Sequence, residues 1–128
     1  MRVLIDSHAL IWAVDDVPRL TQAAAVAMQD PGNELLVSAA SIWEMAIKVS
    51  VRKMTLSLPY RQWMDKAISD LGLSILPITV DYAEVCAGLP WHHRDPFDRL
   101  LIAQAQVEAL SVVSGDPQLD VYSITRIW

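Results

Sequence analysis

Cysteine is almost absent from this sequence, in which Cys86 is the only one. A lone cysteine cannot form a disulfide within its own chain, and no cysteine and histidine have the spacing of a zinc site. The 128 residues are nevertheless enough to bury a core without such cross-links. We therefore expect a single domain spanning residues 1–128, working in a reducing cytoplasm.

Long apolar runs are missing as well. The N-terminal run Val3–Ile5 ends at Asp6. A membrane-spanning helix needs about 20 apolar residues, and the core of a signal peptide needs about 7–15. We therefore expect neither export nor insertion into a membrane.

Positive charge is also in short supply, because 10 lysine and arginine residues face 15 aspartate and glutamate residues, for a net charge of −5. Proteins that bind nucleic acid without sequence preference do so by neutralising phosphates with cationic side chains. The charge balance therefore argues against broad electrostatic adhesion to nucleic acid. A role on nucleic acid has to be local and assisted by a metal ion.

Apolar residues, by contrast, are abundant, at 53% of the chain with five tryptophans. One small core is not expected to absorb them all, so part of the apolar surface should meet a partner. Trp12, Trp43 and Trp63 lie in segments with helical apolar spacing and are interpreted as core or interface residues. Trp91 lies in a loop and is the better candidate for contact with a partner or a base.

Short apolar strands alternate with helices along the chain. Strands are predicted at 2–5, 34–38, 73–77 and 111–114, with a last one within 121–127. Helices are predicted at 22–29, 41–48, 59–70, 80–88 and 95–108. Such alternation is typical of a parallel sheet covered by helices on both faces. We therefore predict a three-layer α/β fold with a central, mainly parallel sheet flanked by helices.

Four acidic residues lie where the ends of these strands should meet. Asp6 ends the first strand and Asp116 follows the fourth. Glu44 lies in the first turn after the second strand, and Asp98 opens the long helix. Because ligands of open parallel sheets bind beyond this edge, we expect the four side chains to converge.

Converging carboxylates repel each other unless they share a cation. Magnesium prefers hard oxygen ligands and is usually held by a few carboxylates together with a substrate phosphate. A metal held in this way can activate water and stabilise the leaving oxygen in phosphodiester cleavage. The acidic positions therefore predict a site for such cleavage.

Each of these acids also has a simpler explanation, because acidic residues are favoured at helix N-termini. Glu44 and Ser41 have the spacing of a capping box. Asp95, one helical turn before Asp98, and Asp116 both precede a proline, as N-cap residues often do. Asp6 could cap the segment that follows it. Taken singly, each acid can be read as a cap.

Three strings resemble the VapC-type PIN-domain toxins of bacterial toxin–antitoxin pairs. They are LIDSHALIW at 4–12, SAASIWE at 38–44 and HRDPFDRLLIAQA at 93–105. The resemblance implies a PIN-like domain that acts as an endoribonuclease dependent on magnesium or manganese. It also implies a cognate antitoxin protein that holds the enzyme inactive, an RNA substrate and a homodimer.

The resemblance extends to single residues. Asp6, Glu44 and Asp98 fall on the family's acidic metal-site positions and Asp116 falls on the fourth, so all four are expected to bind metal and act in catalysis. The sequence departs from the pattern after the fourth acid, where Leu119 stands at a position that is commonly aromatic. How far the Asp116 side chain extends into the site is therefore left open. Asp95 is either a helix cap, which we favour, or an additional site acid.

The predicted substrate-binding residues are Arg94, Arg99 and Ser114. The two arginines flank the acidic motif and could bind RNA phosphate, although Arg99 could instead form an ion pair. Ser114 is expected to support the site by hydrogen bonding, although a serine at the end of a strand is often only a turn residue. His92 and His93 could bind phosphate or belong to a solvated loop.

Two other functions fit parts of the pattern. A phosphoacceptor receiver-like domain also gathers aspartates at the edge of a parallel sheet, but it needs a lone aspartate after a central strand and a later lysine. A catalytically silent PIN-fold module would act by binding its antitoxin and DNA. The presence of an acid at all four positions counts against a silent module.

Overall fold

The computed structural model of the chain describes residues 1–128, in which strands alternate with helices. The strands are β1 (Arg2–Ile5), β2 (Glu34–Ser38), β3 (Ser74–Leu76), β4 (Ser111–Val113) and β5 (Thr125–Ile127). The α-helices are α1 (Ser7–Asp15), α2 (Gln22–Gln29), α3 (Ala39–Ser50), α4 (Tyr60–Leu71), α5 (Val80–Gly88) and α6 (Pro96–Glu108). Short 3₁₀ helices cover Val17–Arg19 and Pro117–Val121.

The five strands form one sheet in the order β3-β2-β1-β4-β5, and all neighbouring pairs are parallel. At the centre, Val3 of β1 is opposite Leu35 of β2 on one side and Ser111 of β4 on the other. Along the chain, β2 and β3 are added on one side of β1, and β4 and β5 are then added on its other side. This confirms the predicted α/β fold, with a sheet that is parallel throughout.

Side chains that alternate along the central strand separate two cores. Val3 and Ile5 pack on one face of the sheet with α1, α2, α3 and α4, around the fully buried Trp63. Leu4 packs on the other face with α5 and α6, against residues such as Ile102. Because successive residues of a strand point to opposite faces, the three consecutive apolar residues Val3–Ile5 suit a strand that is covered on both sides.

The predicted starts of α2 and α6, each marked by a capping residue, agree closely with the structure. The hydroxyl of Thr21 accepts from the N–H of Ala24 at the start of α2, and Asp95 with Pro96 opens α6. Helix α1 lies in the segment where helical apolar spacing was noted around Trp12, although no bounds were predicted for it. The last strand covers 125–127 of the predicted range 121–127, since residue 121 ends a 3₁₀ helix and residues 122–124 form bends. No helix combines the length and the apolar composition that a bilayer crossing requires.

Candidate active site

A polar cleft of about 260 Å³ lies at the carboxyl ends of the central strands. The strand order reverses between β1 and β4, so the segments that follow these two strands diverge and leave a crevice, the usual ligand site of open parallel sheets. No apolar side chain lines the cleft; its residues are Asp6, Ser7, His8, Glu44, Lys48, Asp95, Asp98 and Asp116. All four acids expected to converge are therefore present in one cleft.

Asp6 and Asp116 each cap a helix and also line the cleft. Asp6 Oδ1 accepts from the N–H of Ala9 at 2.8 Å, at the start of α1. Asp116 Oδ1 accepts from the N–H of Gln118 at 2.9 Å, while its Oδ2 lies 3.3 Å from His93 Nε2. A carboxylate has two oxygens, so capping occupies one and leaves the other for a ligand. For these two residues the capping role and the site role coexist.

Glu44 is not a helix cap, so the predicted capping box with Ser41 is wrong. Helix α3 begins at Ala39 and is capped by the hydroxyl of Ser38, which moves Ser41 inside the helix. The Glu44 carboxylate is buried, accepts from the hydroxyl of Ser7 at 2.7 Å and lies 3.2 Å from the ammonium of Lys48. Contacts with Ser7 and Lys48, and not a capping bond, therefore hold Glu44 in the cleft.

Asp98 and Asp116 are joined by a histidine that was not among the predicted site residues. His93 Nε2 lies 3.2 Å from Asp98 Oδ2 and 3.3 Å from Asp116 Oδ2. Its Nδ1 accepts from the N–H of Asp95 at 3.2 Å, so in the neutral ring the proton resides on Nε2. The His93 side chain is only 10% exposed, which rules out the solvated-loop alternative. It acts as a donor between two carboxylates.

The electrostatics of the cleft disfavour charge on its central acids. Burial, followed by the nearby charge of Asp95, raises the pKa of Asp98 to about 7. Burial also raises the pKa of Asp6, although the Ser114 hydroxyl and the Ala9 N–H oppose this effect. No lysine or arginine forms an ion pair with Asp6, Asp98 or Asp116. The protein therefore provides no lysine or arginine partner that would stabilise the charged forms of these three acids.

Asp95 is the N-cap of α6, as favoured from the sequence. Its Oδ1 accepts from the N–H groups of Phe97 and Asp98 at 2.8 and 3.1 Å. Ser114 is fully buried and its Oγ accepts from the N–H of Asp116 at 3.1 Å. Ser114 is thus placed to position site acids and is not accessible to a substrate.

The two arginines expected to bind phosphate lie away from the acidic cleft. Arg99 is buried, and its guanidinium donates to the carbonyl oxygens of four residues and stacks on the Trp91 ring at 3.7 Å. Those four residues are Cys86, Leu89, Pro90 and His93. Arg99 therefore holds the loop between α5 and α6 and is not free to bind RNA. Arg94 is exposed, but it lines an apolar groove beside Ile78 and Trp91.

The tryptophans divide between core and surface. Trp63 is fully buried, and its Nε1 donates to Asp15 at 3.0 Å, so this residue belongs to the core. Trp43 is 62% exposed and meets Phe97 edge to face, with 5.8 Å between ring centroids. Trp91 is 72% exposed. Trp43 is therefore not a core residue, and it remains a candidate for an interface.

The donor set of the cleft fits a hard divalent cation. Its ligand atoms are carboxylate oxygens, which Mg²⁺ and Mn²⁺ prefer, and it contains no sulfur. Ligand atoms of His93, Asp98 and Asp116 lie within 4.8 Å of one another. Burial and the nearby carboxylate of Asp95 raise the pKa of Asp98, and a bound cation would favour its charged form. These features match what a bound cation would neutralise.

Comparison with known proteins gives a consistent picture. The sequence model of the PIN domain family matches residues 3–124. Among curated proteins, the chain is 30% identical over 118 residues to a protein described as Ribonuclease VapC22 from Mycobacterium tuberculosis, covering 91% of this chain and 88% of that protein.

Among solved structures, the fold is similar to VapBC2 from Rickettsia felis, bound to a DNA fragment from the promoter, with a TM-score of 0.70 and 14% identity. That match covers 98% of this chain and 97% of the other. It is also similar to VapBC-1 from nontypeable Haemophilus influenzae, with a TM-score of 0.68 and 14% identity over 98% and 96% of the two chains. At these identities the structural matches establish the fold alone.

Proposed function

Because this chain belongs to the PIN-domain family, we propose that it is a divalent-metal-dependent endoribonuclease and the toxin of a toxin–antitoxin pair. One observation carries the proposal. Four carboxylates from separate segments, Asp6, Glu44, Asp98 and Asp116, line a single cleft at the edge of the sheet. The similarity of this chain to a VapC protein described as a ribonuclease supports RNA as the substrate class.

The four carboxylates are the residues that would hold Mg²⁺ or Mn²⁺. Such a cation supplies an activated water and neutralises charge that develops on the phosphate during hydrolysis. The protein's own contribution is to keep the oxygens in place. Capping bonds fix Asp6 and Asp116, the hydroxyl of Ser7 fixes Glu44, and His93 donates toward Asp98.

An antitoxin partner and a homodimer complete the proposal. Solved relatives of this fold include VapBC assemblies, and the surface of this chain exposes large apolar side chains. Trp43 is 62% exposed and Val80 is 84% exposed. Ile78 and Trp91 also line one apolar groove, and contiguous exposed apolar surface of this kind marks interaction sites. We place the protein, as one domain, in the cytoplasm with its RNA substrate.

A ribonuclease assay of the purified chain tests the proposed activity. We expect cleavage of RNA in Mg²⁺ or Mn²⁺, no cleavage in EDTA, and none with Asp98→Asn. Asp70→Asn, at an exposed position on α4, is a matched control because it removes the same charge from a residue outside the cleft lining.

The same assay distinguishes a ribonuclease from a catalytically silent binding module. A chain that binds its antitoxin and promoter DNA but leaves RNA intact under every metal condition would be such a module. Cleavage that survives EDTA, or that survives Asp98→Asn at the wild-type rate, would remove the carboxylates from the chemistry.

A further inference from the structure

The acidic cleft contains a single permanently cationic side chain, Lys48. The only other basic group in its lining is the imidazole of His8. Arg99 is committed to backbone carbonyls and Arg94 lines a separate groove. Phosphate oxygens are usually bound by lysine and arginine side chains or by backbone N–H groups. Lys48 is therefore the lysine or arginine best placed to meet a phosphate that enters this cleft.

We infer that Lys48 binds a phosphate of the RNA substrate beside the carboxylates. The inference rests on the proposed function, since it assumes a phosphodiester in this cleft. Lys48 lies on α3, one turn after Glu44, so the helix delivers a carboxylate and an ammonium to the same wall of the cleft. An acidic site on a protein of net charge −5 otherwise repels its substrate.

The present partner of Lys48 explains how the side chain is held ready. Its Nζ lies 3.2 Å from Glu44 Oε2, and the Lys48 side chain is 31% exposed. The ammonium thus compensates Glu44 while part of the side chain still faces solvent. An ammonium has three N–H donors, so it can donate to Glu44 and to a phosphate oxygen at the same time. A divalent cation held by Glu44 would supply part of the compensation that Lys48 now provides.

The simpler alternative is that Lys48 only stabilises α3 through an i,i+4 ion pair. Such pairs contribute little when exposed, and this one has a nearly buried carboxylate, since the Glu44 side chain is 8% exposed. The two roles give different results. A purely structural pair alters the melting temperature and leaves substrate affinity unchanged, whereas a phosphate contact alters the KM for RNA.

The test compares Lys48→Met, Lys48→Gln and Lys48→Arg with the wild type. Met removes the charge and keeps the length, Gln keeps a hydrogen-bond donor for Glu44, and Arg keeps the charge. Lys66→Met, at an exposed position on α4, is the control that changes net charge equally. Each protein is assayed for cleavage of a fluorescent RNA stem–loop in Mg²⁺, and for melting temperature in EDTA and across a Mg²⁺ titration.

We expect Lys48→Met and Lys48→Gln to lower kcat/KM by roughly tenfold or more, mainly through KM, because a charge-assisted hydrogen bond is lost. Lys48→Arg should restore most of it and Lys66→Met should match wild type. In the melting assay, Lys48→Met should bind Mg²⁺ about threefold more tightly than wild type, because no ammonium competes at Glu44. If Met unfolds the protein, Gln provides the same comparison.

The outcomes separate the two proposals. A wild-type chain that neither cleaves RNA nor gains stability from Mg²⁺ refutes the proposed function. A wild-type chain that does both, alongside Lys48→Met and Lys48→Gln variants with unchanged KM, refutes the role of Lys48 alone. A loss confined to kcat would also overturn substrate binding by Lys48.

Discussion

Replacing Asp98 with Asn should stabilise the metal-free protein. Burial and the neighbouring Asp95 raise the pKa of Asp98 from 3.8 to about 7. A shift of about three units corresponds to ~4 kcal/mol, at about 1.36 kcal/mol per unit. The Asp98 side chain remains 35% exposed, so solvent screening reduces this figure and we expect about 1–2 kcal/mol. For a chain of this length that raises the melting temperature by about 4–7 °C.

The gain should depend on pH in a defined direction. The pKa of the Asp98 carboxyl is 3.8 in the unfolded chain and about 7 in the folded one. In the pH window between these two values, the folded state binds the proton more tightly. Stability of the wild type therefore falls as the pH rises through the window. Its loss is complete above the folded pKa, while at pH 5 about two-fifths of the loss is present. The advantage of Asp98→Asn should accordingly be larger at pH 8 than at pH 5.

Melting in EDTA at the two pH values, with Asp70→Asn as the control, measures this effect. Adding Mg²⁺ should then reverse the order. Wild type gains stability from the cation according to its concentration over its dissociation constant, and the variant gains less because a ligand is lost. The reasoning fails if Asp98→Asn melts at or below the wild-type temperature in EDTA at pH 8. It also fails if Mg²⁺ stabilises both proteins equally.

Three further substitutions test the roles of other residues. Glu44→Gln should reduce both the Mg²⁺-induced rise in melting temperature and RNA cleavage; unchanged values of both would leave Glu44 a structural role only. His93→Gln should weaken Mg²⁺ affinity or cleavage roughly 10–100-fold in titration and rate assays, as losses of outer-shell partners do, and a variant indistinguishable from wild type would exclude that role. Arg99→Lys should destabilise the protein by about 2 kcal/mol in urea unfolding, because an ammonium lacks the planar guanidinium that reaches four carbonyl oxygens and stacks on Trp91, while Mg²⁺ affinity stays unchanged.

The sequence predicted the fold well because its signals were local. Thr21, Asp95 and Pro96 mark helix starts by their chemistry, and Gly72 adopts the left-handed conformation that ends α4. Where two caps compete, the sequence is ambiguous. Ser38 and Ser41 are both suitable caps for α3, and Ser38 takes the role because β2 ends there. That one choice decides whether Glu44 caps a helix or lies in the cleft.

The acids of the site followed from topology together with the family resemblance, but their supporting residues did not. Whether an arginine is free or buried depends on which carbonyl groups surround it, and for Arg99 these come from the loop before its own helix. The role of His93 depends on the hydrogen bond that its Nδ1 accepts from the N–H of Asp95, and no sequence pattern indicates that bond. Lys48 offered one signal, its spacing of four residues from Glu44, which on a helix places both side chains on one face.

The cleft compensates its carboxylates unequally, and this inequality accounts for its chemistry. Glu44 has the ammonium of Lys48, whereas Asp98 and Asp116 have only the Nε2–H of a histidine whose other nitrogen is occupied. Burial, followed by the charge of Asp95, raises the pKa of Asp98 even though His93 acts to lower it, so the charged form of Asp98 is disfavoured. Asp6, Asp98 and Asp116, which have no lysine or arginine partner, would therefore gain most from the positive charge of a bound divalent cation. Lys48 then remains beside them as the side chain that can attract the phosphate.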